Sequence, residues 1–273
     1  PQNQTPPQNQ TPPQNQTPPL KKLKYIKYYL FHYIMLNHPP YTHEKVNNIK
    51  IIKRWFTYHR FDNTKTNAED FAAILSYNSL QPHGINYKNI DCSYFIYLSI
   101  FYYNKHAGYA LINSLKNVEE YLKTNYNIYI NSFYPLAIYF ALLAENKNLW
   151  HDSMHKYFEL VPINKLTPGS IIAWGFESFL NPKTNSFKLE FDTGHVGCVT
   201  NSDGSNIKFC HSVPRKDDPK SIKQGGPTET DYTLSGHILQ GLSKGMRVGG
   251  AMRLKGYGPS FVPVDNPAIV YPI

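Results

Sequence analysis

The hydrophobic pattern of this chain changes period near residue 168, and that change limits the folds open to it. Upstream, apolar residues recur at helical spacing: Val46, Ile49, Ile52, Trp55 and Phe56 fall on one face. Thr66-Asn67-Ala68-Glu69 predicts another helix start, running through Phe71, Ile74 and Leu75. Asp91 is a good N-cap ahead of the apolar-aromatic run 94–103, and 113–123 and 135–146 are also predicted helical. Downstream, 170–174, 195–200, 206–212 and 249–254 are short β-rich runs divided by Pro, Gly, Asn and Asp clusters. Helices first and strands after predict an α+β domain, with helices followed by an antiparallel sheet.

Residues 1–18 are three copies of Pro-Gln-Asn-Gln-Thr-Pro, which offer no large apolar side chain with which to build a core. Such a tract is expected to be a disordered linker over 1–19. Residues 20–64 form a predicted helical N-terminal extension, broken at Asn37-His38-Pro39-Pro40, and 65–273 the principal domain. The stretch 25–36 is the best membrane candidate, but Lys27 and His32 interrupt it and it falls short of the ~20 apolar residues a spanning helix needs. No transmembrane segment is expected. The chain opens on Pro rather than Met, so a leader can be neither read nor excluded.

A formal net charge of +9 favours acidic partners, yet the ordinary source of such a charge is a solvated basic surface. No basic run interleaved with stacking aromatics is present, so no nucleic-acid partner is expected. The three cysteines, Cys92, Cys198 and Cys210, argue against a disulfide scaffold and fit one working thiol with two buried, inert ones.

The chemistry-bearing residues occur in a fixed order. Cys92 follows its N-cap Asp91, so it is expected in the first turn of a buried helix. There the dipole and unpaired amides favour the thiolate and can bind an oxyanion. A small core cysteine is the bland alternative and equally common at such a position. His195 opens a strand between Gly194 and Gly197, which leave room for a substrate chain. The hairpin that follows allows two registers. A three-residue loop Ser202-Asp203-Gly204 pairs Asn201 with Ser205 and sets His195 directly opposite His211; a two-residue turn sets Ser212 there instead. The first is the expected one, with His211 orienting the His195 ring. His151 and His155 lack the Glu of a zinc helix motif, and Gly225-Gly226, Gly241, Gly245 and Gly249-Gly250 read as turns. No metal and no cofactor is expected.

With these residues in view, the chain resembles the NlpC/P60 cysteine peptidases, papain-like α+β enzymes that cleave amide bonds in peptidoglycan stem peptides. The resemblance rests on Asp91-Cys92-Ser93, Pro168-Gly169-Ser170-Ile171-Ile172, Gly194-His195-Val196-Gly197 and His211 at the end of the next strand. It implies Cys92 as nucleophile, His195 as base and His211 as the orienting residue. Tyr87 (with Tyr77 as the other choice), Gly194 and Trp174 are the candidate substrate contacts. Tyr94 stands where the family has Gly, Ser170 where it has Asp, and the usual Tyr-x-x-Gly-Gly segment is absent. The long spacing from Cys92 to Pro168 implies a helical insertion over 107–150. The implied activity is amide hydrolysis through a thioacyl enzyme, with a peptidoglycan or other peptide substrate. Transfer to an acceptor on a protein, deamidation, or an inactive wall-binding module remain as alternatives. Cell-wall action would place the chain in the envelope or outside the cell; a cytoplasmic enzyme fits the same residues.

Overall fold

The computed structural model describes residues 43–59, 62, 64–129, 134–176, 194–214, 225–233 and 246–257. The repeat, the stretch 25–36 and the glycines at 241 and 245 lie outside them. Helix starts follow local chemistry. Thr66 caps α2 (Asn67–Ser79; α1 is His43–Thr57): its hydroxyl accepts the Glu69 amide at 3.2 Å while the Glu69 carboxylate accepts the Thr66 amide at 2.9 Å. Asp91 caps α3 (Cys92–Tyr103), accepting the Tyr94 amide at 2.7 Å. Asn104 both ends α3 and caps α4 (Lys105–Tyr126), which stops at the left-handed Asn127. α5 (Ala137–Glu145) is buried from Ala137 through Ala144, as an all-apolar helix must be. A short α6 (Met154–Tyr157) leads into the strands. The α1 helix packs against α3 and belongs to the same compact unit as the sheet.

Among the described residues, β1 (Phe158–Val161), β2 (Ile171–Phe176), β3 (His195–Ser202), β4 (Asn206–Pro214), β5 (Gly225–Thr233) and β6 (Met246–Leu254) form one sheet. The order is β1-β6-β2-β3-β4-β5, every neighbouring pair antiparallel. The α+β class and the helices-then-sheet order are as expected; β1 and β5 are additional to the sequence reading. The glycine pairs at 225–226 and 249–250 lie within β5 and β6, not in turns. Two of them mark close approaches: a Cβ on Gly226 would lie 2.3 Å from the Ile85 carbonyl oxygen, and one on Gly250 2.8 Å from that of Ala144.

The helices cover one face of the sheet. Cys210 Sγ lies 3.9 Å from the Leu75 carbonyl oxygen, and Ser212 Oγ donates to the Ile90 carbonyl at 2.6 Å. The α5 helix, within the stretch expected to be an insertion, packs on β2 and β6 and so forms part of this layer. The opposite face carries Ile172, Trp174, Val199, Ile207, Phe209 and Ala251, joined by Val161 and Leu166 in one apolar cluster. The sheet's two-residue alternation places His195 and His211 on this second face, beside Trp174 and Phe209. No helix among the described residues is long and apolar enough to cross a membrane.

Candidate active site

Cys92 occupies the first turn of α3, where its cap places it, and is 6% exposed. The amides of Val196, Ser93 and Cys92 itself point at the sulfur. Val196 follows His195 directly, so the thiol lies against the first peptide of β3, while the His195 side chain alternates to the other face of the strand. The expectation that the helix start favours the thiolate is not met. Burial first, and the Asp91 charge second, push the thiol up to about 12, and the three amides only partly offset this. At neutral pH the sulfur carries its proton and needs a base to lose it.

His195 Nε2 and His211 Nδ1 are 2.6 Å apart, and His211 Nε2 lies 3.0 Å from Thr230 Oγ1. The two imidazoles meet, but not as the directly opposed pair expected, and the register differs from the expected one. The Asp203 carboxylate accepts the Ser205 and Asn206 amides at 3.0 and 2.7 Å, which lengthens the turn and pairs Ser202 with Ile207. Carried on unbroken, that register would turn the two imidazoles to opposite faces. A bulge on β3 between Val199 and Asn201 shifts it back by one, so Cys198 pairs with Cys210. One step further His211 comes level with Gly197, and His195 is its diagonal neighbour on the same face. Thr200, the extra residue, donates to the Glu229 carboxylate on β5, which holds the bulge from the far side of β4.

The space at Gly197 is taken by protein, not left for substrate. A Cβ there would lie 2.4 Å from Phe209 Cζ and 2.7 Å from the Cys210 carbonyl oxygen. Phe209 in turn packs on His211, Trp174 and His195, with ring centroids at 5.0, 6.0 and 6.3 Å. Trp174, paired with His195 across β2 and β3, is nearly buried, its ring 5.1 Å from the imidazole. It forms a wall behind the base. Gly194 precedes His195 with φ of +116°, a backbone that L side chains rarely adopt. Tyr87 is half-buried, and burial first, with the neighbouring Cys92 and Asp91 groups after it, pushes its phenol upward. Tyr77 is exposed on α2.

Around Asp91 the structure gathers residues that no motif singles out. Tyr134 donates to Asp91 Oδ2 at 3.0 Å and packs on Tyr94 at 4.6 Å between centroids. Lys45 of α1 sits 4.9 Å over the Tyr94 ring, and its ammonium is lowered by burial against the opposing pull of Asp91. Tyr94 is thus a buried packing residue. Lys45 and Tyr134 carry no motif, and only tertiary packing reveals them. The His151/His155 pair is not an i, i+4 helical pair, because α6 begins at Met154; His151 Nδ1 is 2.8 Å from Ser153 Oγ and His155 packs on Trp150.

Compared with family models, with curated proteins and with solved structures, the chain gives no match. Its likeness to the NlpC/P60 enzymes is carried by the motif residues alone.

Proposed function

We propose that this chain is a cysteine hydrolase of NlpC/P60 type that cleaves an amide bond through a thioacyl intermediate, with peptidoglycan stem peptides as the substrate class. The reading is supported by the coupled imidazoles at the start of β3 and by the contact of the same stretch of backbone with the thiol. His195 Nε2 is engaged by His211 at 2.6 Å, while the peptide following His195 directs its amide at the Cys92 sulfur.

With Nε2 engaged, His195 takes the Cys92 proton at Nδ1 as the sulfur attacks the carbonyl carbon. Amides at the start of α3 face the developing oxyanion. The C–N bond breaks, His195 returns the proton to the departing amine, and a thioester remains on Cys92. Water then gives a proton to His195 and its oxygen to the acyl carbon; the acid leaves and the thiol is restored. The low polarity that raises the resting thiol also strengthens each of these charge interactions.

Purified muropeptides incubated with wild type and Cys92→Ala, followed by mass spectrometry, test the reading. New amine and carboxyl termini made by wild type alone are expected. Intact muropeptides in both reactions would remove peptidoglycan as the substrate, and trapping of an acyl group on Cys92 from other peptides would then redirect the search.

A further inference from the structure

The hydrogen-bond chain does not end at His211. From the geometry we infer that Thr230 is a positioning residue that sets the tautomer of His211 and, through it, which nitrogen of His195 acts as base. The inference rests on the proposed cysteine chemistry and names a residue that neither the motif pattern nor the family resemblance includes.

His211 is 3% exposed, and both its ring nitrogens have partners: Nδ1 faces His195 Nε2 at 2.6 Å and Nε2 faces Thr230 Oγ1 at 3.0 Å. A neutral imidazole has one N–H and one lone pair, so the chain has two polarities. In the first, Thr230 donates to His211 Nε2, His211 Nδ1–H donates to His195 Nε2, and the proton of neutral His195 then sits on Nδ1. That ring cannot take a proton at Nδ1. In the second, His211 Nε2–H donates to Thr230, His211 Nδ1 accepts from His195 Nε2–H, and His195 Nδ1 carries the lone pair. When His195 takes up the Cys92 proton, both its nitrogens carry hydrogen, and only the second polarity accommodates the Nε2–H without rearrangement.

Register explains why Thr230 serves. Thr228, not Thr230, stands directly opposite His211, while Thr230 pairs with Phe209 and reaches His211 along the diagonal on the same face. The Phe209 and Tyr232 rings flank His211 at 5.0 and 6.2 Å and confine the imidazole between them.

The experiment uses the full chain labelled with 15N and follows imidazole nitrogens by long-range proton–nitrogen correlation, alongside the rate of Cys92 labelling by iodoacetamide across pH. Wild-type His211 is expected to hold its proton on Nε2. Thr230→Val, which keeps the shape and removes the acceptor, should mix the His211 tautomers, slow Cys92 labelling about tenfold and change its pH profile. Thr230→Ser, which restores the hydroxyl, should return both signals to wild type. A wild-type His211 protonated on Nδ1, or a Val variant with unchanged tautomer and rate, overturns the inference. Should the Val variant fail to fold, the wild-type and Ser spectra decide the polarity. If Cys92 labelling in wild type is indifferent to His195→Ala, the hydrolase reading fails, and the His211 spectra still decide what Thr230 does.

Discussion

Gly197→Ala adds one methyl group, and the structure says where it must go. The new Cβ would stand 2.4 Å from Phe209 Cζ, 2.6 Å from Cε1 and 2.7 Å from the Cys210 carbonyl oxygen. These are overlaps, and neither neighbour can yield cheaply. The carbonyl belongs to β4, and the fully buried Phe209 ring is held among Trp174, His195, His211 and Tyr232 at 5.0 to 6.3 Å. Overpacking of this kind costs about 1–3 kcal/mol. Against it, the unfolded chain loses about 0.4–1 kcal/mol of conformational freedom on Gly→Ala, which favours the variant. The net destabilisation is about 1–2 kcal/mol, or a melting temperature lower by roughly 2–8 °C for a domain of this size. The same displacement drives Phe209 toward the imidazoles, so the reactivity of Cys92 should fall more than stability alone explains. Guanidinium unfolding and Cys92 labelling, measured together, read both effects. Adding Phe209→Leu should recover part of the stability, and the double-mutant cycle should show coupling of about 0.5 kcal/mol or more. A Gly197→Ala protein as stable as wild type, or additive energies in the cycle, would refute the packing argument.

Other perturbations separate the site's supports. Asp91→Asn keeps an oxygen for the Tyr94 amide but removes the charge that helps hold the Cys92 thiol up, so the onset of thiolate absorbance should move to lower pH with α3 intact; an unmoved onset would deny Asp91 that influence. Ser212→Ala leaves the buried Ile90 carbonyl without the hydroxyl that ties β4 to the start of α3, a loss of about 1–3 kcal/mol in denaturant titration. Burial raises the Cys92 and Cys210 thiols from 9.0 to about 12. The folded chain therefore binds more protons than the unfolded one between those values. This contribution to stability is complete below pH 9 and is lost as pH rises toward 12, which denaturant midpoints taken from neutral to about pH 11 would register.

How much was legible in the sequence depended on how local the cause was. The starts of α2 and α3 follow from Thr66 and Asp91, and β2, β3, β4 and β6 announce themselves by β-rich runs between turn residues. The β5 strand does not: Gly225-Gly226-Pro227-Thr228-Glu229-Thr230-Asp231-Tyr232-Thr233 has no apolar alternation and becomes a strand by pairing along β4. The β1 strand is a four-residue edge recruited by β6 from far along the chain. At the site, the neighbouring imidazoles were foreseen, yet for the wrong register. Their common face depends on a bulge whose anchor, Glu229, lies two strands away in the sheet, and a local turn rule cannot contain that. The state of the Cys92 thiol was misjudged for a related reason, because the helix start is visible in sequence and the depth of burial is not.

Whether Cys92 and His195 work as a pair is decided by site-mapped alkylation. Wild type and His195→Ala are treated with a peptide-like electrophile in the folded state across pH, and the modified cysteines are identified by mass spectrometry. All three thiols are buried, so intrinsic accessibility favours none of them strongly. Fast labelling at Cys92 alone is expected, slowed in His195→Ala, with Cys198 and Cys210 silent until the chain unfolds. Equal, slow labelling of the three cysteines, unchanged by the loss of His195, would contradict the pairing.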